Sequence, residues 1–175
     1  MPSPEDIAVL PDAGPLITPA YAEALDLLFK PGWNVMLVDM VLHEVTRNQT
    51  PTSSKLAELA AARRIPVLPT KTFSHFGQAR TQSATPKRSN LGESAIQESM
   101  NDLALMGPPG TGVFLFEDHK IARTSFLAPD HRRKIGTRAF LMFLEQKGWI
   151  PSASEIERRA VQAGRAFSTQ RFPPD

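Results

Sequence analysis

The chain has 175 residues, no cysteine, 41% apolar residues and a formal net charge of +2. That length suits one domain with a core that holds without covalent staples, and the missing cysteines exclude disulfides, thiolate metal sites, iron–sulfur clusters and cysteine nucleophiles. No apolar run approaches the roughly 20 residues of a membrane helix, and residues 1–6 carry two acids and no base, unlike a secretory leader; the expectation is a cytoplasmic, soluble protein with no membrane partner.

Val9-Leu10 leads into Pro11-Asp12-Ala13-Gly14-Pro15, which predicts a short strand and a sharp turn. Thr18 followed by Pro19 predicts a helix capped at Thr18, with Tyr21, Leu25, Leu28 and Phe29 on one face. Val35-Met36-Leu37-Val38 has the unbroken apolar pattern of a buried parallel strand. A short helix is expected over 41–47 and a second over 53–64, then a strand over 65–68 whose Pro66 places it at an edge. Residues 70–90 are rich in Thr, Ser, Gln, Lys and Arg with little periodicity, and predict a mobile loop. A helix is expected from Asn90 to about Leu105, a buried strand over 113–116, and a helix over 137–146 with Phe140, Leu141 and Leu144 inward. Ser152 and Glu155 form a capping-box pattern for a last helix ending near Ala163. Strands alternating with helices predict an α/β fold with a mainly parallel sheet. In such sheets ligands bind beyond the carboxyl ends of the strands.

Charge is unevenly spread. Residues 1–60 hold three bases against eight acids, a balance of −5, and residues 119–165 hold ten bases against four acids, a balance of +6. This asymmetry fits a polyanion partner as well as a solvated surface. Arg80, Lys87, Arg88, Arg132, Arg133 and Lys134 are the candidate phosphate contacts. Gly107-Pro108-Pro109-Gly110-Thr111-Gly112 has the glycines of a phosphate-binding loop, but Val113-Phe114 follows where that motif needs Lys and Ser or Thr. It reads as a tight turn.

Four acids stand where a parallel sheet would collect them: Asp12 after the first strand, Glu44 just beyond the second, Glu93 at a helix start and Asp118 after the strand over 113–116. Carboxylates converging from different elements are what hard dications need, and two such ions can hold an in-line water and relieve charge on a phosphodiester. Each acid also has a plain structural role: Asp12 as a turn former, Glu44 as a helix acid, Glu93 as the partner of an Asn90 cap, and Asp118 as a cap. Asp39 and Glu117 are spare acids. The four histidines, His43, His75, His119 and His131, have no zinc-ligand spacing.

The order of motifs resembles the PIN-domain superfamily. Asp12-Ala13-Gly14-Pro15-Leu16-Ile17 resembles its opening motif, Val41-Leu42-His43-Glu44-Val45 its second, and Leu91-Gly92-Glu93-Ser94-Ala95 its third. The run from Leu115 to Arg123 resembles its acidic element, with Glu117 where Thr or Ser is usual and His119 where a second Asp is usual. Ile135-Gly136-Thr137-Arg138-Ala139-Phe140-Leu141 and Gly148-Trp149-Ile150-Pro151-Ser152 resemble the segments that follow. The resemblance runs over residues 9–167. It implies a three-layer α/β/α sandwich with a short, mainly parallel central sheet, spanning residues 1–168 with a flexible tail at 169–175. It implies RNA cleavage with Mg2+ or Mn2+ held by Asp12, Glu44, Glu93 and Asp118, as in the VapC-type toxins of bacterial toxin–antitoxin pairs, with RNA as substrate, a small antitoxin protein as partner and a homodimeric state. Thr137 either orients a carboxylate or a water or caps a helix, and Arg123 pairs with a site acid or a phosphate. A PIN-like module that binds RNA or protein without cutting is the alternative.

Overall fold

Residues 3–82, 90–106, 110–117 and 132–166 are described by a computed structural model. The central sheet holds β1 (Ile7–Pro11), β2 (Asn34–Val35), β5 (Thr111–Phe116) and β6 (Arg132–Gly136), all parallel, in the order β2-β1-β5-β6. A second, two-stranded parallel sheet pairs β3 (Leu37–Val38) with β4 (Val67–Leu68). The helices are α1 (Ala13–Tyr21), α2 (Asp39–Thr46), α3 (Pro51–Ala62), α4 (Lys71–Gln82), α5 (Leu91–Met106), α6 (Thr137–Gln146) and α7 (Ala153–Gln162).

Successive strand residues point to opposite faces of a sheet. Val9 and Leu10 of β1 and Val113, Phe114 and Leu115 of β5 are nevertheless all buried. Both faces of the sheet are therefore covered, which makes the architecture a three-layer α/β/α sandwich. Leu16 and Ala20 of α1, Met40 and Val41 of α2, Ile96 and Met100 of α5, and Leu141 and Leu144 of α6 supply the covering side chains. Pro11 sits in a central strand without cost to the ladder. The Asp12 N–H bonds Leu115 O at 2.9 Å, so the Pro11 nitrogen faces β2, whose ladder ends where Met36 N–H meets Val9 O.

Several expectations change. The apolar run 35–38 is not one strand: it splits at Met36, with Val35 in the main sheet and Leu37-Val38 in the small one. Helix α1 begins at Ala13, five residues before Thr18; Thr18 is internal to it, and its hydroxyl donates to Glu117 instead of capping. That helix ends at Tyr21, and Leu25–Phe29 forms a separate 3-10 turn. α3 starts two residues earlier than expected because Thr50 caps it, exchanging bonds with Ser53 across Pro51. Ser152 does accept the Glu155 N–H at 3.2 Å, but the Glu155 carboxylate turns to Arg158.

The largest correction is at residues 70–90. Lys71–Gln82 is a helix, not a loop. Its first turn is held by acids from elsewhere: Glu98 of α5 accepts the N–H groups of Lys71 (2.6 Å) and Thr72 (3.1 Å), and Asp39 of α2 accepts the Thr70 N–H and hydroxyl, both at 2.7 Å. Thr70 in turn caps Phe73 N–H at 3.1 Å. Lys87 and Arg88 lie outside the described residues, as do the segment 169–175 and residues 107–109. Among the described residues, no helix is long and apolar enough to cross a membrane.

Candidate functional site

Parallel strands end at one edge, and chain direction sends Asp12, Glu117 and Thr137 there from β1, β5 and β6. Asp12 occupies the position before α1 but makes no capping bond to it. Glu44, in the middle of α2, reaches the same place. The meeting point is Gly92, at the start of α5. A side-chain carbon at Gly92 would stand 2.8 Å from Glu44 Oε2 and 3.4 Å from Asp12 Oδ1, so both carboxylates lie against the bare glycine. The Gly92 N–H donates to Glu44, and the helix N-terminus favours negative charge there. Glu93 follows on the same helix turn.

The electrostatics of Glu44 are unfavourable to its charge. Burial raises its pKa, and the nearby Asp12 raises it further. The Gly92 N–H and the Arg47 guanidinium lower it, but they do not restore the ordinary value. Opposite Glu93 stands Lys134 of β6. Burial lowers the Lys134 pKa, while the negative Glu93 works to raise it. Lys134 thus belongs to the electrostatic surroundings of the site, a role that sequence reasoning missed by grouping it with its basic neighbours. Arg132 is likewise no surface cation: it is buried, its guanidinium packs over Gly112, and its Nε has no hydrogen-bond partner. Arg133 alone of the three is exposed.

A second charged cluster sits beside the first. Glu117 is 9% exposed and pairs with Arg165 at 3.0 Å. Its Oε2 accepts the Thr18 hydroxyl at 2.8 Å and the Thr137 hydroxyl at 3.5 Å, and Arg165 Nε also donates to Thr18 at 3.1 Å. Thr137 thus does bond a carboxylate, the spare acid Glu117, and it also donates to Phe116 O at 3.2 Å. Gly14 is essential to this packing, since a side-chain carbon there would fall 2.5 Å from Glu117 Cβ. The other spare acid, Asp39, serves as the anchor of Thr70.

Asp12 and Glu44 are therefore brought together, with Glu93 one residue from their contact at Gly92. Asp118 lies outside the described residues, as do His119, Arg123 and His131. Among the described residues, no three His, Asp or Glu side chains are grouped closely enough to hold a metal ion. No protein-family model matches the chain, and neither a search of curated proteins nor one of solved structures returned a match.

Proposed function

We propose that the chain is a divalent-metal-dependent endoribonuclease of PIN-like type, the toxin-like member of a toxin–antitoxin pair, hydrolysing RNA at Asp12, Glu44, Glu93 and Asp118. The observation that carries this reading is the convergence of Asp12 and Glu44 on Gly92, two like charges from separate elements at the carboxyl edge of a parallel sheet. Two neutral residues would carry no such penalty in that place, and a carboxylate opposed by burial and by a like-charged neighbour supports a functional reading. Their chemistry fits Mg2+ or Mn2+: hard oxygen donors, with Glu44 already penalised for its charge. Asp12 and Glu44, which converge on Gly92, would hold such an ion, with Glu93 and Asp118 as the further ligands this reading calls for. When bound, the ion would activate water and relieve charge on the scissile phosphate. The Gly92 N–H orients Glu44, and Lys134 sets the local charge beside Glu93.

The test is RNA cleavage with and without Mn2+, alongside thermal melting. Cleavage that needs the metal, together with a higher melting temperature in its presence, is expected. A protein that gains no stability from Mn2+ and cuts no RNA would sink the proposal. One observation favours the non-cutting alternative: Lys134 already supplies a positive charge beside Glu93. In that case RNA binding would persist while cleavage and metal stabilisation are both absent.

A further inference from the structure

The helix α4 that replaces the expected loop creates a cleft against α2. Phe73 and Phe76 of α4 pack on the His43 ring, with centroids 5.4 and 5.5 Å away. Above them opens a cleft of about 420 Å³ lined by His43, Arg47, Asn48, Phe76 and Arg80. Arg47 and Arg80 are both exposed. Neither forms an ion pair among the described residues, although other exposed arginines of this chain, Arg63 and Arg158, do. Among the described residues, no carboxylate lines the cleft. Two arginines lining one polar cleft, with no described acid on its wall, present positive charge to an incoming anion.

The position of the cleft gives that anion a meaning. His43 and Arg47 flank Glu44 on α2, and the Arg47 charge is felt at the Glu44 carboxylate. The cleft therefore adjoins Glu44 where it meets Gly92, so a strand whose phosphodiester lies at the carboxylates has a neighbouring phosphate at hand for Arg47.

We infer that the α2–α4 cleft binds the phosphate backbone of single-stranded RNA, with Arg47 and Arg80 as its phosphate contacts and Asn48 as a further polar contact. The inference rests on the nuclease reading for the identity of the strand, but its test does not require cleavage. The probe is a labelled single-stranded RNA oligonucleotide, titrated in chelated, metal-free buffer at several salt concentrations against the wild type and Arg47→Gln/Arg80→Gln, which removes both charges without adding an acid beside Glu44. Both positions are exposed, so circular dichroism and melting should change little.

The variant should bind about tenfold more weakly or worse, uniformly across sequences. The slope of log affinity against log salt should flatten by about 1.4, because each phosphate contact on a single strand contributes about 0.7. Unchanged affinity and slope would overturn the inference. So would a wild type that ignores RNA but captures polyglutamate through these arginines, which would make the cleft a seat for an acidic protein segment. Loss of Mn2+-dependent cutting with RNA binding through the cleft intact would remove the nuclease reading and leave this one standing.

Discussion

Two acidic clusters lie side by side at the carboxyl edge of the sheet, and the protein treats them in opposite ways. Glu117 is almost fully buried, yet its carboxylate is answered by Arg165 and two threonine hydroxyls. Glu44 is only partly buried, yet burial and Asp12 together outweigh what Gly92 and Arg47 return to it. The first arrangement is that of a structural ion pair, in which every partner is supplied from within the fold. In the second, burial and a like-charged neighbour oppose the Glu44 carboxylate more than the Gly92 N–H and Arg47 favour it. Burial alone does not distinguish the two clusters; the balance of partners does.

That contrast can be broken most sharply by activity. Asp12→Asn keeps the shape at Gly92 and removes one charge, and a neutral amide is a poor ligand for a hard dication. RNA cleavage should fall by several orders of magnitude, with folding unharmed. Asp118→Asn should do the same. Full activity in a well-folded Asp12→Asn protein would remove Asp12 from the site.

Arg165→Met should behave in reverse. It strands the Glu117 carboxylate in a buried place, which costs about 3 kcal/mol. For a chain of this size that corresponds to a melting temperature about 6–12 °C lower. Catalysis by the surviving folded fraction should change little. If melting is unaffected while cleavage collapses, Glu117 and Arg165 belong to the functional cluster and the contrast fails.

The difference between the clusters also marks what sequence can and cannot tell. Asp12 is legible as an acid that directly follows a strand, Glu44 only through the motif resemblance around it, and the parallel sheet follows from the alternation of elements. Arg165 lies 48 residues beyond its partner, and no local pattern announces the pair. Helix α4 was hidden for the same reason. Its own residues are poor in apolar content, and its first turn is stabilised by Asp39 and Glu98, which are distant in sequence. Three bases in a row group Lys134 with the candidate phosphate contacts, whereas a strand turns alternate residues to opposite faces. The break at Met36 was equally invisible, because an apolar run does not say which sheet each residue joins.

Glu98 gives this remote capping a measurable size. Burial opposes its charge, but the bonds from Lys71 N–H, Thr72 N–H and the Thr72 hydroxyl, with the Lys71 charge, prevail and hold its pKa below the usual value. Glu98→Ala should destabilise the fold by about 1 kcal/mol, as loss of a helix cap does. Hydrogen exchange should show the loss concentrated in α4. If α4 amides keep their protection, the helix stands on its own packing and the caps are incidental.

The smallest effect should be the most diagnostic of the two kinds of cluster. The Glu44 pKa is higher in the folded state than in the unfolded chain. Between those two values the native state holds the extra proton, so this group's contribution to stability is fully present below the unfolded value, near that of an ordinary glutamate. It is lost as pH rises through the raised folded value, leaving a penalty at neutral pH. Glu44→Gln removes that penalty while its amide oxygen still accepts the Gly92 N–H. At pH 7 the variant should therefore melt higher than the wild type, by about 1–3 °C, and the advantage should vanish near pH 4. Manganese should reverse the order at pH 7, because a dication stabilises the native carboxylate form by mass action and has one ligand fewer in the variant. A variant that melts lower at pH 7 without metal would show Glu44 to be a satisfied structural acid like Glu117, and the distinction between the two clusters would be lost.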